Sequence, residues 1–364
     1  MSSYLSLLNL ATKKELNIEE IAQLLSPGTL EERSELHKLA YEVKKVNVGT
    51  CVYLRGLIEF SNYCTCDCLY CGIRKSNTKV SRFILSKEEI LAGAKLAWEF
   101  GYGSIVLQSG ERCDKVGCNF VADVVSSIKK EFPQLGITLS CGQENLETYK
   151  LWKESGADRY LLRIESTNLD IFNAIHSKET NFFERKQCLT DLYNLGYQVG
   201  SGVMIGLPNQ STLDLAKDID FFRSMDLDMI GMGPYIPHPD TPMGIANPES
   251  KAENQRRFLL ALDMIAVTRI VLKDVNIAST TALQALDPEN GREKGLLAGA
   301  NVIMPNIGGL EHRKDYLLYS GKPGTDENAQ TSRDKLAKSI AAIGESCAFN
   351  VPGTPVHYVT RNKK

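Results

Sequence analysis

The sequence predicts an α/β protein folded as a (β/α)8 TIM-type barrel with an N-terminal helical extension. Between residues 52 and 308, short β-branched runs alternate with helical stretches, as expected for parallel strands joined by crossover helices. Eight such units over this length favour a closed barrel over an open doubly wound sheet. The strand candidates are residues 52–60, 104–108, 137–141, 160–165, 198–205, 229–235, 276–281 and 301–305.

Three regions are expected along the chain. Residues 1–50 form the helical extension, residues 51–320 form the barrel, and residues 321–364 form a C-terminal helical segment packed on it. Asn17 precedes an amphipathic run and Glu20 takes its third helical position, which predicts a capped helix start. We expect the extension to close the bottom of the barrel.

Composition predicts a soluble, cytoplasmic enzyme without nucleic-acid or membrane partners. The 364 residues are 43% hydrophobic and 24% charged with a formal net charge of -2, and no Lys/Arg-rich run occurs. The N-terminus lacks the features of a secretory signal, and no stretch approaches eighteen apolar residues. Ten cysteines in such a chain favour reduced thiols and metal ligands over disulfides, so we expect the protein to be oxygen-sensitive.

Four cysteines fall within eight residues directly after the first strand candidate. Cys64, Cys68 and Cys71 have a CxxxCxxC spacing that resembles the radical S-adenosylmethionine (radical-SAM) superfamily, and Cys66 is then a spare thiol. Three thiolates on one loop can bind three irons of a 4Fe–4S cluster and leave the fourth iron open to a small molecule. A zinc knuckle is the alternative, but it needs a second Cys/His pair, and none follows at a suitable distance.

Polar residues follow the strand candidates at the ends that meet at a barrel mouth, where active sites of this fold lie. Arg163 and Glu165 are two apart on one strand candidate and therefore share a face. They form either a structural ion pair or a holder for a zwitterionic ligand, because buried charges need partners. Glu111 follows the second strand candidate and either caps the next helix or faces an ammonium group.

Longer segments resemble the HydE family, the radical-SAM maturases of FeFe hydrogenase in the biotin-synthase-like branch of the superfamily. The resemblance covers residues ~40 to 320 and rests on six stretches of sequence. These are Arg-Gly-Leu-Ile-Glu-Phe-Ser at 55–61, Cys-Leu-Tyr-Cys-Gly at 68–72, Val-Leu-Gln-Ser-Gly-Glu at 106–111, Gly-Ala-Asp-Arg-Tyr-Leu-Leu-Arg at 156–163, Gly-Met-Gly-Pro-Tyr-Ile-Pro-His-Pro-Asp-Thr-Pro at 231–242 and Ala-Asn-Val-Ile-Met-Pro-Asn at 300–306.

The resemblance implies a 4Fe–4S cluster held by Cys64, Cys68 and Cys71, with SAM bound at the open iron. Some members of the family carry a second cluster near the C-terminus, but residues 319–342 contain no cysteine here, so we predict one cluster. The resemblance also implies that Tyr70 lies near the adenine. The other implied SAM contacts are Gly110, Glu111, Ser140, Glu165 and Arg185. An arginine suits a carboxylate because it donates two parallel hydrogen bonds, although an exposed surface charge is the alternative for Arg185.

The resemblance further implies that a 5'-deoxyadenosyl radical acts on a small iron complex carrying cysteine, carbon monoxide and cyanide. The implied substrate-lining or catalytic residues are Arg163, Thr138, Thr280, Thr281 and His312, the last of which replaces an aromatic residue of the relatives in the cavity wall. The threonines are equally consistent with strand packing. The implied partners are an electron donor such as ferredoxin or flavodoxin and, transiently, other hydrogenase maturases.

Two other functions stay open on the sequence. A radical-SAM enzyme acting on an organic amino acid would share the cluster and SAM residues and differ in its cavity. A non-catalytic iron–sulfur scaffold would need only the cluster cysteines. A second pair of thiols, Cys113 and Cys118, lies near the predicted mouth and binds a metal, forms a disulfide or has no special role.

Overall fold

The computed structural model describes residues 3–112, 114–309, 311–324 and 329–363 and shows a parallel β-barrel surrounded by helices. The strands are β1 (Cys51–Ser61), β2 (Ser104–Ser109), β3 (Gly136–Ser140), β4 (Arg159–Leu161), β5 (Gln198–Ser201), β6 (Met204–Ile205), β7 (Met229–Ile230), β8 (Gly233–Pro234), β9 (Asn276–Ile277), β10 (Val302–Ile303) and β11 (Ser346–Ala348). The main sheet follows the order β10-β1-β2-β3-β4-β5-β7-β9, with β11 paired to β1.

The two ends of this sheet meet and close the barrel. A parallel bridge joins Ala278 to Val302. Beside it, the amide of Asn301 donates to the carbonyl of Ile277 at 2.9 Å, and the amide of Ser279 donates to the carbonyl of Val302 at 2.9 Å. The predicted α/β barrel class is therefore confirmed.

Five of the strand candidates are longer than the strands that form, and one of them, 301–305, shortens to Val302–Ile303. Candidates 198–205 and 229–235 are each divided in two, with Gly202 and Gly231 at the breaks. A Cβ on Gly202 would lie 2.0 Å from the carbonyl oxygen of Gly231, so only glycine allows the two backbones to pass this closely. Beyond the breaks, β6 and β8 pair with each other in a separate sheet. Candidates 160–165 and 276–281 end early, at Leu161 and Ile277.

Helices surround the barrel and extend it at both termini. They are α1 (Ser3–Leu10), α2 (Ile18–Leu24), α3 (Leu30–Asn47), α4 (Lys87–Glu99), α5 (Lys115–Glu131), α6 (Leu146–Glu154), α7 (Leu169–Ile175), α8 (Phe182–Asn194), α9 (Thr212–Ser224), α10 (Pro242–Ala246), α11 (Lys251–Leu272), α12 (Thr281–Leu286), α13 (Gly291–Leu297), α14 (Ala329–Ala342) and α15 (Val356–Arg361), with a 3-10 turn at Arg313–Asp315. No helix in the described ranges is long and apolar enough to cross a membrane.

The start of α2 has the predicted cap. The side chain of Asn17 accepts a hydrogen bond from the amide of Glu20 at 2.8 Å, and the carboxylate of Glu20 accepts from the amide of Asn17 at 3.1 Å. Two backbone amides at this helix start are therefore satisfied, because each side chain accepts a hydrogen bond from the other residue's backbone.

The bottom of the barrel is covered by the C-terminal segment. Arg55 and Arg159 donate to the carbonyls of Gly353 and Pro352 at 3.3 and 2.9 Å, and Asn276 donates to Gly353 at 2.8 Å. These buried side chains lie in the lower part of the barrel, and buried donors need acceptors. The backbone carbonyls of residues 352–353 supply the acceptors and cover the bottom of the barrel. The expectation that the N-terminal extension closes the bottom is wrong, because α2 and α3 pack mainly on the outer helices α9 and α11.

Candidate active site

The carboxyl ends of the barrel strands enclose a central cavity of about 300 Å³. All but two of the predicted site residues line it. They are Cys64, Cys68, Tyr70, Cys71, Gly110, Glu111, Ser140, Arg163, Glu165, Arg185, Thr280 and Thr281. Residues that lie up to about two hundred positions apart in the sequence are thus gathered in one place by the closure of the barrel.

The cysteine loop leaves the end of β1 and is fixed to the end of β2. The amide of Thr65 donates to the carbonyl of Glu111 at 2.9 Å. Gly110 makes this contact possible, since a Cβ there would lie 2.2 Å from the carbonyl oxygen of Tyr63. Gly72, directly after Cys71, is confined in the same way, with the carbonyl oxygen of Leu317 2.0 Å from the position of a Cβ.

The donor set of this loop fits an iron–sulfur cluster better than a single ion. Cys64, Cys68 and Cys71 all line the central cavity. No three Cys, His, Asp or Glu side chains in the described residues are arranged to hold one metal ion. A cluster makes a different demand, because each thiolate binds its own iron. Burial raises the pKa of the Cys71 thiol to about 12, so the positive charge of bound iron is needed to stabilise the thiolate.

Glu111 and Arg185 form the charged wall beside the cysteine loop. An oxygen of Glu111 accepts from the amide of Gln143 at 2.7 Å and from Arg185 at 3.5 Å. The helix α5 is capped by Asp114 instead, so the helix-cap alternative for Glu111 is wrong. Arg185 lies on α8 and its side chain is only 13% exposed, so the surface-charge alternative for it is also wrong. Burial alone lowers the pKa of Arg185, but Glu111 and the neighbouring anionic groups raise it above its usual value.

Arg163 and Glu165 pair with each other at the end of β4. Arg163 donates to a carboxylate oxygen of Glu165 at 2.8 Å. The prediction that both residues lie on a strand is wrong, because β4 ends at Leu161 and Glu165 has a left-handed backbone with φ 65°. A left-handed conformation costs a residue with a Cβ roughly 1–2 kcal/mol, and such strain concentrates at functional sites.

An apolar patch forms the side of the mouth next to Tyr70. Its buried members are Ile171, Ile175, Met204, Leu207, Tyr235 and Met243. The Tyr70 ring packs edge-on against His176, with 5.7 Å between ring centroids. Burial lowers the pKa of His176 to about 4, so this imidazole is neutral at physiological pH. The patch offers a flat aromatic ligand an apolar surface close to the charged wall.

Thr280 and Thr281 lie at the start of α12 rather than on a strand. The hydroxyl of Thr281 is 2.7 Å from that of Tyr319. The hydroxyl of Thr280 is buried and has no hydrogen-bond partner among the described residues. Strand packing therefore does not explain these two threonines, and both line the central cavity.

Two predicted residues do not line the central cavity. Thr138 is on β3 and lines a smaller cavity deeper in the barrel, together with Arg55. His312 lines a separate cavity beside α4, where it stacks on Phe83 with 4.4 Å between ring centroids. The expectation that His312 shapes the wall of the central cavity is therefore wrong, because its ring is held by Phe83 in the cavity beside α4.

Other cavity residues were missed by the sequence analysis. Tyr316, Tyr319 and Lys322 line the cavity from the segment after β10, and Glu59 lines it from β1. Tyr316, Tyr319 and Lys322 follow the last strand at intervals of three residues. This repeat of polar or aromatic side chains beside the mouth could have identified them as cavity residues. Of the second thiol pair, Cys113 lies outside the described residues. Cys118 is buried on α5 and donates to Glu144 at 3.6 Å.

Comparison with known proteins agrees with this geometry. The Radical SAM superfamily model matches residues 58–222, which include the cysteine loop, Glu111, Glu165 and Arg185. The fold and the site thus define a radical-SAM enzyme, a class that uses a 4Fe–4S cluster and SAM. The chain is 44% identical over 334 residues to the FeFe hydrogenase maturase subunit HydE of Thermotoga maritima, covering 91% of this chain and 92% of that protein. It belongs to the HydE family of FeFe hydrogenase maturases.

More distant relatives share the fold. The 3-methylornithine synthase of Methanosarcina acetivorans is 29% identical over 312 residues, 83% of each chain. The crystal structure of methylornithine synthase (PylB) superposes with a TM-score of 0.81 at 22% identity, covering 94% of this chain and 98% of that one. The maturase HydG from Carboxydothermus hydrogenoformans superposes with a TM-score of 0.79 at 21% identity, covering 95% and 79%. At these identities the two structures establish the barrel fold alone.

Proposed function

We propose that the central cavity binds a small iron complex carrying cysteine, carbon monoxide and cyanide, a precursor of the diiron subcluster of FeFe hydrogenase. The observation that carries this proposal is a pair of unsatisfied donors. Arg163 Nε and the Thr280 hydroxyl are both buried and have no partner among the described residues, and both side chains line the cavity. An unpaired buried donor costs about 1–3 kcal/mol, which a ligand rich in acceptors would recover. Carboxylate and cyanide groups are such acceptors.

The cluster and SAM are assigned to the side of the cavity near the cysteine loop. Cys64, Cys68 and Cys71 are the proposed iron ligands, and Glu111 is the proposed acceptor for the SAM ammonium group. When bound, the cluster and SAM together supply a 5'-deoxyadenosyl radical. The remaining proposed contacts are Tyr70 against the adenine through the apolar patch, and Gly110, Ser140, Glu165 and Arg185 around the polar end of SAM.

The protein's own contribution is positioning. The ion pairs Glu111–Arg185 and Arg163–Glu165 lie beside each other, since Arg185 Nε donates to the carbonyl of Arg163 at 2.8 Å. A ligand that binds one pair therefore lies at a fixed distance from a ligand that binds the other. Holding the reacting groups in contact and excluding water is the main contribution a protein makes to radical chemistry of this kind.

An organic amino acid is the second candidate substrate, and the similarity to 3-methylornithine synthase favours it. Membership of a family of radical-SAM maturases favours an enzyme over a non-catalytic scaffold. The same membership supports the proposed partners, a low-potential electron donor such as ferredoxin or flavodoxin and transient contacts with other hydrogenase maturases.

The test is an anaerobic assay of the reconstituted, reduced protein. SAM is added, and 5'-deoxyadenosine is measured with and without a synthetic cysteine–iron–dicarbonyl–cyanide complex. We expect the complex to raise 5'-deoxyadenosine formation strongly. Equal formation with and without the complex would contradict the proposal and favour an organic substrate.

A substitution in the same assay tests the donor pair. R163K keeps the charge but removes the planar fork and the Nε donor, so we expect the KM for the complex to rise about tenfold or more, the equivalent of one or two hydrogen bonds. The affinity for SAM should change little. R256K on the exposed face of α11 is the matched control and should resemble the wild type.

A further inference from the structure

Lys322 is a buried cation in the wall of the central cavity. Its side chain is 7% exposed and lies beyond β10, on the segment that also carries Tyr316 and Tyr319. The ammonium group donates to Glu59 Oε1 at 2.5 Å and to the carbonyl of Tyr316 at 2.9 Å, and it lies 5.0 Å from the centre of the Tyr316 ring. The position of this charge is therefore fixed from several sides.

The carboxylate partner is held just as firmly. Glu59 is on β1 with its side chain 5% exposed, and its second oxygen accepts from the side-chain Nδ2 of Asn306 at 2.8 Å. Burial raises the pKa of Glu59, and Lys322 counters this effect. Glu59 is thus oriented by two neighbours, so that the Lys322 ammonium has one defined place at the cavity wall.

A structural role alone explains this pair poorly. Removing two charges from water costs several kcal/mol per ion, and apolar side chains of similar volume often stabilise a protein as well or better. The pair also lines an open cavity instead of a packed core. An ammonium has three donors, and among the described residues two of them go to Glu59 and Tyr316, which leaves a third for a ligand.

Lys322 and Arg163 are both hydrogen-bond donors in the wall of the central cavity. The Tyr319 hydroxyl bonds to Thr281, and its pKa is raised to about 12, by burial first and also by the charge of Glu59, while Arg163 opposes the rise. Tyr319, Arg163 and Lys322 all line the central cavity. A ligand in this cavity therefore has both cations in its walls.

The two cations differ in the acceptors they suit. The planar guanidinium of Arg163 matches a carboxylate, which accepts two parallel hydrogen bonds. The ammonium of Lys322 is a compact point donor. It matches an acceptor with a single terminal atom, such as the nitrogen of a metal-bound cyanide.

We propose that Lys322 is a substrate-positioning residue that donates a hydrogen bond to the cyanide nitrogen of the iron complex, with Glu59 holding the ammonium in place. This inference rests on the proposed function and adds the residue that orients the substrate about its iron. Arg163 fixes the carboxylate end and Lys322 fixes the cyanide end, so together they determine which face of the complex meets the radical.

The test uses three variants of the full-length reconstituted protein. K322M removes the ammonium but leaves Glu59 buried without its partner, so we expect it to lose stability for a structural reason alone. The double variant E59Q/K322M removes both charges and keeps an amide oxygen for Asn306. K338M removes an exposed lysine on α14 and is the matched control.

Two measurements are made on each variant. The first is the KM and kcat for the complex in the 5'-deoxyadenosine assay. The second is the infrared C≡N stretching band of the bound complex, with S-adenosylhomocysteine in place of SAM so that no turnover occurs. We expect both Lys322 variants to show a KM raised about tenfold and a displaced C≡N band, whereas K338M matches the wild type.

The outcomes distinguish failure of the Lys322 inference from failure of the proposed function. A C≡N band and KM in E59Q/K322M equal to those of the wild type would overturn the role of Lys322 and leave the pair structural. Failure of the wild type to bind the complex would overturn the proposed function itself, and the inference with it. A displaced band together with a raised KM in the folded double variant supports the hydrogen bond, because the band reports the surroundings of the cyanide and the KM reports the lost binding.

Discussion

The thiol of Cys66 lies 3.0 Å from Oε1 of Glu111 and donates a hydrogen bond to it. The spare cysteine of the loop is thus tied to the carboxylate that follows β2, while its three neighbours have the spacing of cluster ligands. This contact gives Cys66 the orientation of Glu111, and it leaves Cys64, Cys68 and Cys71 as the proposed cluster ligands.

Substitution of Cys66 is expected to affect SAM binding rather than cluster assembly. C66A should retain the iron content of the wild type after reconstitution, whereas C64A, C68A and C71A should each lose most of it. Loss of one hydrogen bond to a charged acceptor, about 1–2 kcal/mol, predicts a Kd for SAM roughly 5- to 30-fold weaker in C66A. Iron analysis and anaerobic SAM titration check this, with the exposed Cys51 as a C51A control. Loss of the cluster in C66A would contradict it.

The two adjacent threonines should differ in their contribution to stability. T281V removes the hydrogen bond to Tyr319 and should lower the free energy of unfolding by about 1 kcal/mol. T280V removes a buried hydroxyl that has no partner among the described residues, so it should leave stability unchanged or slightly higher. Anaerobic urea unfolding of both variants measures the difference. Equal destabilisation by the two substitutions would mean that the hydroxyl of Thr280 is satisfied after all.

His312 should be dispensable for SAM cleavage. H312A removes the stacking on Phe83 and a contact of 3.3 Å to Asp315, which predicts a loss of about 1 kcal/mol in stability. Because His312 does not line the central cavity, 5'-deoxyadenosine formation should stay within about twofold of the wild type. A large fall in that rate at unchanged cluster content would show that His312 acts on the site.

The C-terminal helix should make stability depend on pH. His357 on α15 contacts Asp274 at 3.0 Å and Asp226 at 2.8 Å, and these hydrogen bonds raise its pKa from 6.5 to about 9 despite burial. A raised pKa means that the stabilisation is fully present below pH 6.5 and is lost as the pH rises through about 9. We expect a loss on the order of 1–3 kcal/mol across this range.

Thermal unfolding between pH 6 and pH 9.5 measures this dependence. H357Q keeps a donor but does not titrate, so its Tm should be lower at pH 6.5 and nearly flat across the range. An unchanged slope in H357Q would assign the pH dependence to another group, since Asp226 also pairs with Arg361.

Much of the site followed from the sequence because its signals are local. The CxxxCxxC spacing lies on one loop, and the residues after each strand are brought to one mouth by any parallel barrel. Glu111, Ser140, Arg163 and Glu165 therefore reached the cavity as predicted. Strand lengths were less well predicted, since the close passage of Gly202 and Gly231 depends on two backbones meeting in space.

The sequence by itself determined the barrel class, the cysteine loop and the set of polar residues at the mouth, because periodicity and short spacing encode them along the chain. Only the tertiary structure decided which side chains pair. Lys322 meets Glu59 across 263 positions, and Gly353 closes the floor beneath Arg55 across 298. Burial explains these contacts, because a buried charge or hydrogen-bond donor needs a partner. The partner comes from a residue hundreds of positions away, so the local sequence does not reveal it.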